Sequence, residues 1–175
     1  VLKMTQSRVY TLSFPWSKKV WAITALYFVV ALAIIAELVY IWVMGAVVAA
    51  VVGLMVSLPI LLGIVIYCEG YSPQRLEISD EQITILRRYD SIAIPRSTIL
   101  SITPIAQSDM AWTMTMGGCG GLFGYFGSFK NRKLGQFRMY ATTMRGMFLI
   151  CTADGRKTVI SCSEPEMLQK IVYKC

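Results

Sequence analysis

Residues 20–68 form a run of 49 positions in which Glu37 is the single formally charged side chain. As one helix this run would be on the order of 73 Å long at about 1.5 Å per residue, more than twice a ~30 Å hydrocarbon core. It therefore predicts two membrane crossings joined by a turn. The whole chain agrees: 55% of its 175 residues are hydrophobic and the mean hydropathy is +0.57, whereas soluble domains hold roughly 45–50% apolar residues with glycine counted.

Glu37, Tyr40, Trp42 and Gly45 cluster where the run must turn, and such residues suit a membrane–water interface. The pattern predicts helices near 18–38 and 45–67, inside a transmembrane hairpin of residues 18–68 preceded by an N-terminal segment, 1–17. Glu37 then belongs to the turn. The alternative is a buried intramembrane Glu37 in an ion or proton path, in an accessory subunit of a membrane enzyme or transport complex. Gly45, Ala49, Gly53 and Ser57 recur every four residues on the second helix, a small-residue stripe that packs closely against the first helix or a second copy. Pro59 is expected to bend this helix.

Lys3, Arg8, Lys18 and Lys19 precede the hairpin, Arg75, Arg87 and Arg88 follow it, and the loop between its helices has no Lys or Arg. Because positive charge is retained on the cytoplasmic side, both termini are expected in the cytoplasm and the protein in the cell (inner) membrane. A signal peptide cleaved at Ala31-Leu32-Ala33 is the competitor, but its apolar run is long for that role and a second span follows. The five cysteines are then expected to be reduced; they form no CxxC, and with no histidine in the chain no metal site is expected.

From Glu69-Gly70 onward the runs are short, alternating and punctuated by turn residues. Leu76 and Ile78 alternate with Arg75 and Glu77, and Ser79-Asp80-Glu81-Gln82 turns the chain into Ile83, Ile85 and Arg87, which reads as a hairpin. Tyr89-Asp90-Ser91 turns again into Ile92 and Ile94, with Ile99 and Ile102 past Pro95. Residues 136–142, 147–152 and 157–161 predict three more strands, the last two joined at Asp154-Gly155. A helix is expected to close the chain, with Ser163 and Glu166 as a capping box, Pro165 in the first turn and Met167, Leu168, Ile171 and Val172 on one face.

Four segments carry a resemblance: "LEISDEQITILRRYDSIAIPRSTILSI" (76–102), "GGLFGYFGSF", "LGQFRMYAT" and "DGRKTVISCSEPEMLQKI". Together they resemble the bacterial pleckstrin-homology-like (PH-like) domain proteins over nearly all of residues 70–175. The resemblance implies a membrane-anchored α+β protein: a two-helix transmembrane hairpin, then a cytosolic PH-like antiparallel β barrel with a C-terminal capping helix. It implies binding and no particular activity, because such folds host many roles.

Without histidine, neither a Ser–His nor a Cys–His nucleophile can be built. The carboxylate pairs Asp80/Glu81 and Glu164/Glu166 sit in a turn and a helix cap, so no catalytic residue and no cofactor is expected. The stretch "GGCGGLFGYFGSFKNRK" (117–133) is neither a P-loop nor GxGxxG, since no Lys-Ser or Lys-Thr follows a glycine and Phe123 occupies the third glycine position. Two readings stay open. Its glycines mark bends in a strand pair whose aromatics fill the barrel, or it presents Phe123, Tyr125 and Phe126 with Lys130, Arg132 and Lys133 to a membrane or partner. From Cys68 onward 13 Lys and Arg stand against 9 Asp and Glu, a modest excess with no nucleic-acid motif, so nucleic acid is not expected. Anionic phospholipid headgroups or a protein partner are, with the chain acting as a non-enzymatic scaffold or regulator. Arg87-Arg88 and Arg156-Lys157 read as solvated strand ends.

Overall fold

The structure is a computed structural model and describes residues 9–161. The expected C-terminal helix, Ser163 and Glu166 included, lies outside the described residues, as do Lys3 and Arg8.

Two long helices come first, α1 (Lys18–Val43) and α2 (Val47–Tyr71), after a short strand, β1 (Tyr10–Ser13). Ser17 caps α1, its hydroxyl oxygen accepting the Val20 N–H at 3.3 Å. The helix continues to Val43, past the end expected at 38, since neither Glu37, Tyr40 nor Trp42 breaks a helix. The chain turns where Gly45 adopts φ +89° and its N–H closes onto the Trp42 carbonyl at 3.0 Å. Glu37 is therefore in the helix, exposed, and not in the turn. The second helix runs through Pro59 to Tyr71, and both helices are long and apolar enough to cross a membrane.

Between the helices, a Cβ on Gly53 would lie 2.7 Å from Leu38 Cδ2, and the Tyr27 hydroxyl donates to the Leu61 carbonyl at 2.7 Å. Ala50 is buried, Gly53 and Ser57 are half-buried, Ala49 is exposed and Gly45 sits in the turn. At 3.6 residues per turn a strict four-residue stripe drifts off the contact line, which is why Ala50 replaces Ala49.

The remaining strands are β2 (Pro73–Ile78), β3 (Gln82–Arg87), β4 (Ser91–Pro95), β5 (Ile99–Ile105), β6 (Met114–Gly120), β7 (Tyr125–Asn131), β8 (Gly135–Ala141), β9 (Met147–Thr152) and β10 (Lys157–Ser161). They form two sheets, β1-β2-β3-β4 and β5-β9-β10-β8-β7-β6, antiparallel except for β10 with β8. The expected closed barrel is not formed. Among the described residues no ladder joins the sheets, because the chain leaves the first through a single helical turn at Arg96–Thr98 after Pro95. Helix residues enter the space between them instead: Cys68, Tyr71 and Tyr27 pack with Leu76, Ile78, Ile83 and Ile85 of one sheet and Phe126, Tyr140, Phe148 and Ile150 of the other.

Strand β1, read from the sequence only as part of an N-terminal segment, pairs with β2, Leu12 opposite Leu76. Leu12 and Phe14 are buried in the same core. Alternation along β7 to β10 sends Tyr125, Phe129, Phe137, Met139 and Val159 to the other face of the larger sheet. There they pack with Val20 of α1. The β domain thus uses both the segment before α1 and the first turn of α1 itself, and both flanks of the hairpin lie at one end of it.

Candidate functional site

The glycine-rich stretch is the β6–β7 hairpin, with Gly118 opposite Gly127. Both glycines have positive φ, +123° and +114°, and their backbones approach so closely that a Cβ on Gly127 would lie 2.1 Å from the Gly117 carbonyl oxygen. Only glycine fits such a crossing. The tip, residues 121–124, is wedged between the helix bases. The Phe123 N–H donates to Thr24 Oγ1 at 3.2 Å, and Ser72 Oγ, at the end of α2, donates to the Phe123 carbonyl at 2.7 Å. Cys68 of α2 and Cys119 of β6 bring their free sulfurs to 3.3 Å. Phe123 meets Trp16 edge-on at 5.6 Å, and Trp16 meets Trp21 at 5.8 Å.

Tyr125 and Phe126 are 8% and 2% exposed, so they fill the core and are not displayed to a ligand; the bent-strand reading of this segment describes what they do. Burial pushes the Tyr125 hydroxyl pKa up from its ordinary value, and the Cys119 thiol adds to the shift. Lys130, Arg132 and Lys133 are exposed at the β7–β8 turn. Six residues of strand, roughly 20 Å at about 3.3 Å each, separate that turn from the wedged tip. Lys133 pairs with Asp109, whose carboxyl is held below its ordinary range chiefly by that hydrogen bond.

A different cationic group was not legible in the sequence. Under the last turns of α2 lies a hollow of about 300 Å³ lined by Tyr67, Tyr71, Arg87, Arg138, Tyr140, Ser128, Phe126 and the glycines 117, 118 and 127. The Arg87 guanidinium lies 5.3 Å from the Tyr71 ring centre and 5.5 Å from that of Tyr140, and pairs with Asp90. Its Nε is buried and has no hydrogen-bond acceptor among the described residues. Arg138, on β8 opposite Ser128, is exposed. These residues come from α2, β3, β6, β7 and β8, so local spacing carries no trace of the group. Across the fold, a second hollow of about 390 Å³ is lined in part by Lys18, Lys19 and Arg145, beside the start of α1.

The molecule is a two-sheet β domain packed against the base of a hairpin of two long apolar helices. The chain belongs to the bacterial PH domain family, whose model matches residues 74–174, more than half of the chain. The family is in general one of non-catalytic domains. No match was found among curated proteins or among solved structures.

Proposed function

We propose that the chain is a non-enzymatic integral membrane protein whose helical hairpin crosses the cell (inner) membrane twice and holds its PH-like domain at the cytoplasmic face, to bind anionic phospholipid or a protein partner as a scaffold or regulator. One observation carries this reading: among the described residues, nothing covers the helices beyond the junction. Val29, Leu32, Val48 and Met55 are 62%, 65%, 79% and 73% exposed, an apolar surface that water does not tolerate at this extent. Residues 28–43 and 47–66 lie past the last helix side chains stacked on the domain and span roughly 24 and 30 Å at about 1.5 Å per residue, the second equal to a ~30 Å hydrocarbon core and the first about one turn short of it. Trp16, Trp21, Lys18 and Lys19 then fall at headgroup level, where aromatic and cationic side chains belong.

Lys130, Arg132 and Lys133 lie at the far end of β7 from the wedged tip. They suit an acidic protein partner better than lipid. The accessory-subunit alternative is favoured by Glu37, which sits exposed on α1 six residues before its end and would meet a cationic group on a neighbouring helix.

Activity reporters fused before Val1 and after Cys175, together with alkaline carbonate extraction, test the reading. Retention in the membrane pellet with both reporters cytosolic is expected; a periplasmic C-terminal reporter or release by carbonate refutes it. For the alternative, Glu37→Gln should abolish co-purification of a membrane partner in mild detergent.

A further inference from the structure

We propose that the hollow under α2, built by Arg87 and Arg138, binds the phosphate group of an anionic ester, and that in the membrane this ester is a phospholipid headgroup. The inference rests on the membrane reading above for its source of phosphate, but not for its chemistry.

Three features make this a site. Arg87 is pinned between the faces of Tyr71 and Tyr140, which fixes the plane of its guanidinium before any ligand arrives. Asp90 takes up one end of that fork, and the Arg87 side chain lines the hollow. A phosphate oxygen is an acceptor of the right charge for a guanidinium. Arg138 supplies the second cation, and the Ser128 and Tyr67 hydroxyls supply neutral donors. The third feature is the lining. Gly117 puts bare backbone there, and a Cβ on it would meet nothing within 4 Å, so a ligand can approach where a side chain would otherwise project.

Position gives the source. Tyr67 and Tyr71 belong to the last turns of α2, which in the membrane reading emerge at the headgroup layer, so a lipid phosphate is delivered by diffusion in the bilayer. No recruitment from water is needed.

Full chain purified in mild detergent is incubated with phosphatidylglycerol, phosphatidylcholine, glycerol 3-phosphate or a phosphoserine peptide, and retained adducts are read by native mass spectrometry. Phosphatidylglycerol is expected to be retained by the unmodified chain over phosphatidylcholine, and retention should fall at least about fivefold in Arg138→Ala, which removes an exposed side chain. Arg138→Glu should fall further, Arg138→Lys should recover part, and changing Lys130, Arg132 and Lys133 together to Ser should change nothing. Circular dichroism melts confirm that each variant is folded. Glycerol 3-phosphate binding that is equally sensitive to Arg138 supports the phosphate site and assigns it to soluble esters. Binding unchanged in a folded Arg138→Glu chain overturns the proposal, as does selective capture of the phosphopeptide alone. Carbonate extraction separates the two failures: a chain that stays in the pellet but binds no phosphate has lost only the site, and one that is extracted yet binds glycerol 3-phosphate has lost only the anchor.

Discussion

Replacing Gly127 by alanine adds one methyl group at the most crowded crossing in the β domain. The new Cβ would lie 2.1 Å from the Gly117 carbonyl oxygen and 2.8 Å from Gly118 Cα, and both are backbone atoms that cannot rotate away. Overpacking of this kind costs typically about 1–3 kcal/mol, and a non-glycine residue held at φ +114° adds on the order of 1–3 kcal/mol of backbone strain. Alanine recovers ~0.4–1 kcal/mol by restricting the unfolded chain, leaving a net loss of about 1–5 kcal/mol, with the short backbone contacts placing it in the upper part, from about 2 kcal/mol. At roughly 2–4 °C per kcal/mol for a chain of this size, the melting temperature should fall by about 4–20 °C. Gly117→Ala is the internal control, because a Cβ there meets nothing within 4 Å, and its effect should stay within about 0.5 kcal/mol. Both are measured by near-ultraviolet circular dichroism melts of the full chain in detergent. If Gly127→Ala melts with the unmodified protein, or Gly117→Ala falls as far, the close-crossing argument is wrong.

The wedge between helices and hairpin tip should respond to Thr24→Val, which leaves the Phe123 N–H without its acceptor and should cost about 1–3 kcal/mol, while Thr24→Ser restores it; equal melts for the two variants would count against the wedge. A fragment starting at residue 70 lacks β1, Leu12, Phe14 and Val20 and should bind a hydrophobic dye and lose its cooperative melt; a sharp transition at the full-length temperature would show that the β domain does not depend on the helix base. Tyr125 gives an alkaline signature. Its folded pKa lies above the unfolded one because burial disfavours the phenolate, so its contribution to stability is fully present below the unfolded value of about 10 and is lost as pH rises through the folded value. Tyr125→Phe should flatten that alkaline decline, as read from melts at stepwise pH, and an unchanged decline would exclude Tyr125 as its source.

Composition and periodicity were enough to place two long apolar helices and the hairpins of β2–β3 and β9–β10, because those features depend on neighbours within a few residues. The same local logic misplaced the turn between the helices. Glu37, Tyr40 and Trp42 have the chemistry of an interface but nothing that ends a helix, and only the positive φ of Gly45 does so. The glycine run was legible as a bent strand pair, yet its tip's place between Thr24 and Ser72 depends on contacts 99 and 51 residues away in the chain. Strand β1 was invisible for a similar reason: "YTLS" has no pattern of its own and becomes a strand by pairing with β2. Arg87 shows the limit most sharply. The sequence presents it as one of two arginines at a strand end, whereas tertiary packing sets it between tyrosines from α2 and β8 and leaves its Nε buried. A local pattern records which side chains a segment exposes along its own axis, but the desolvation and neighbouring rings that set a cation's surroundings come from segments that meet only once the chain has folded.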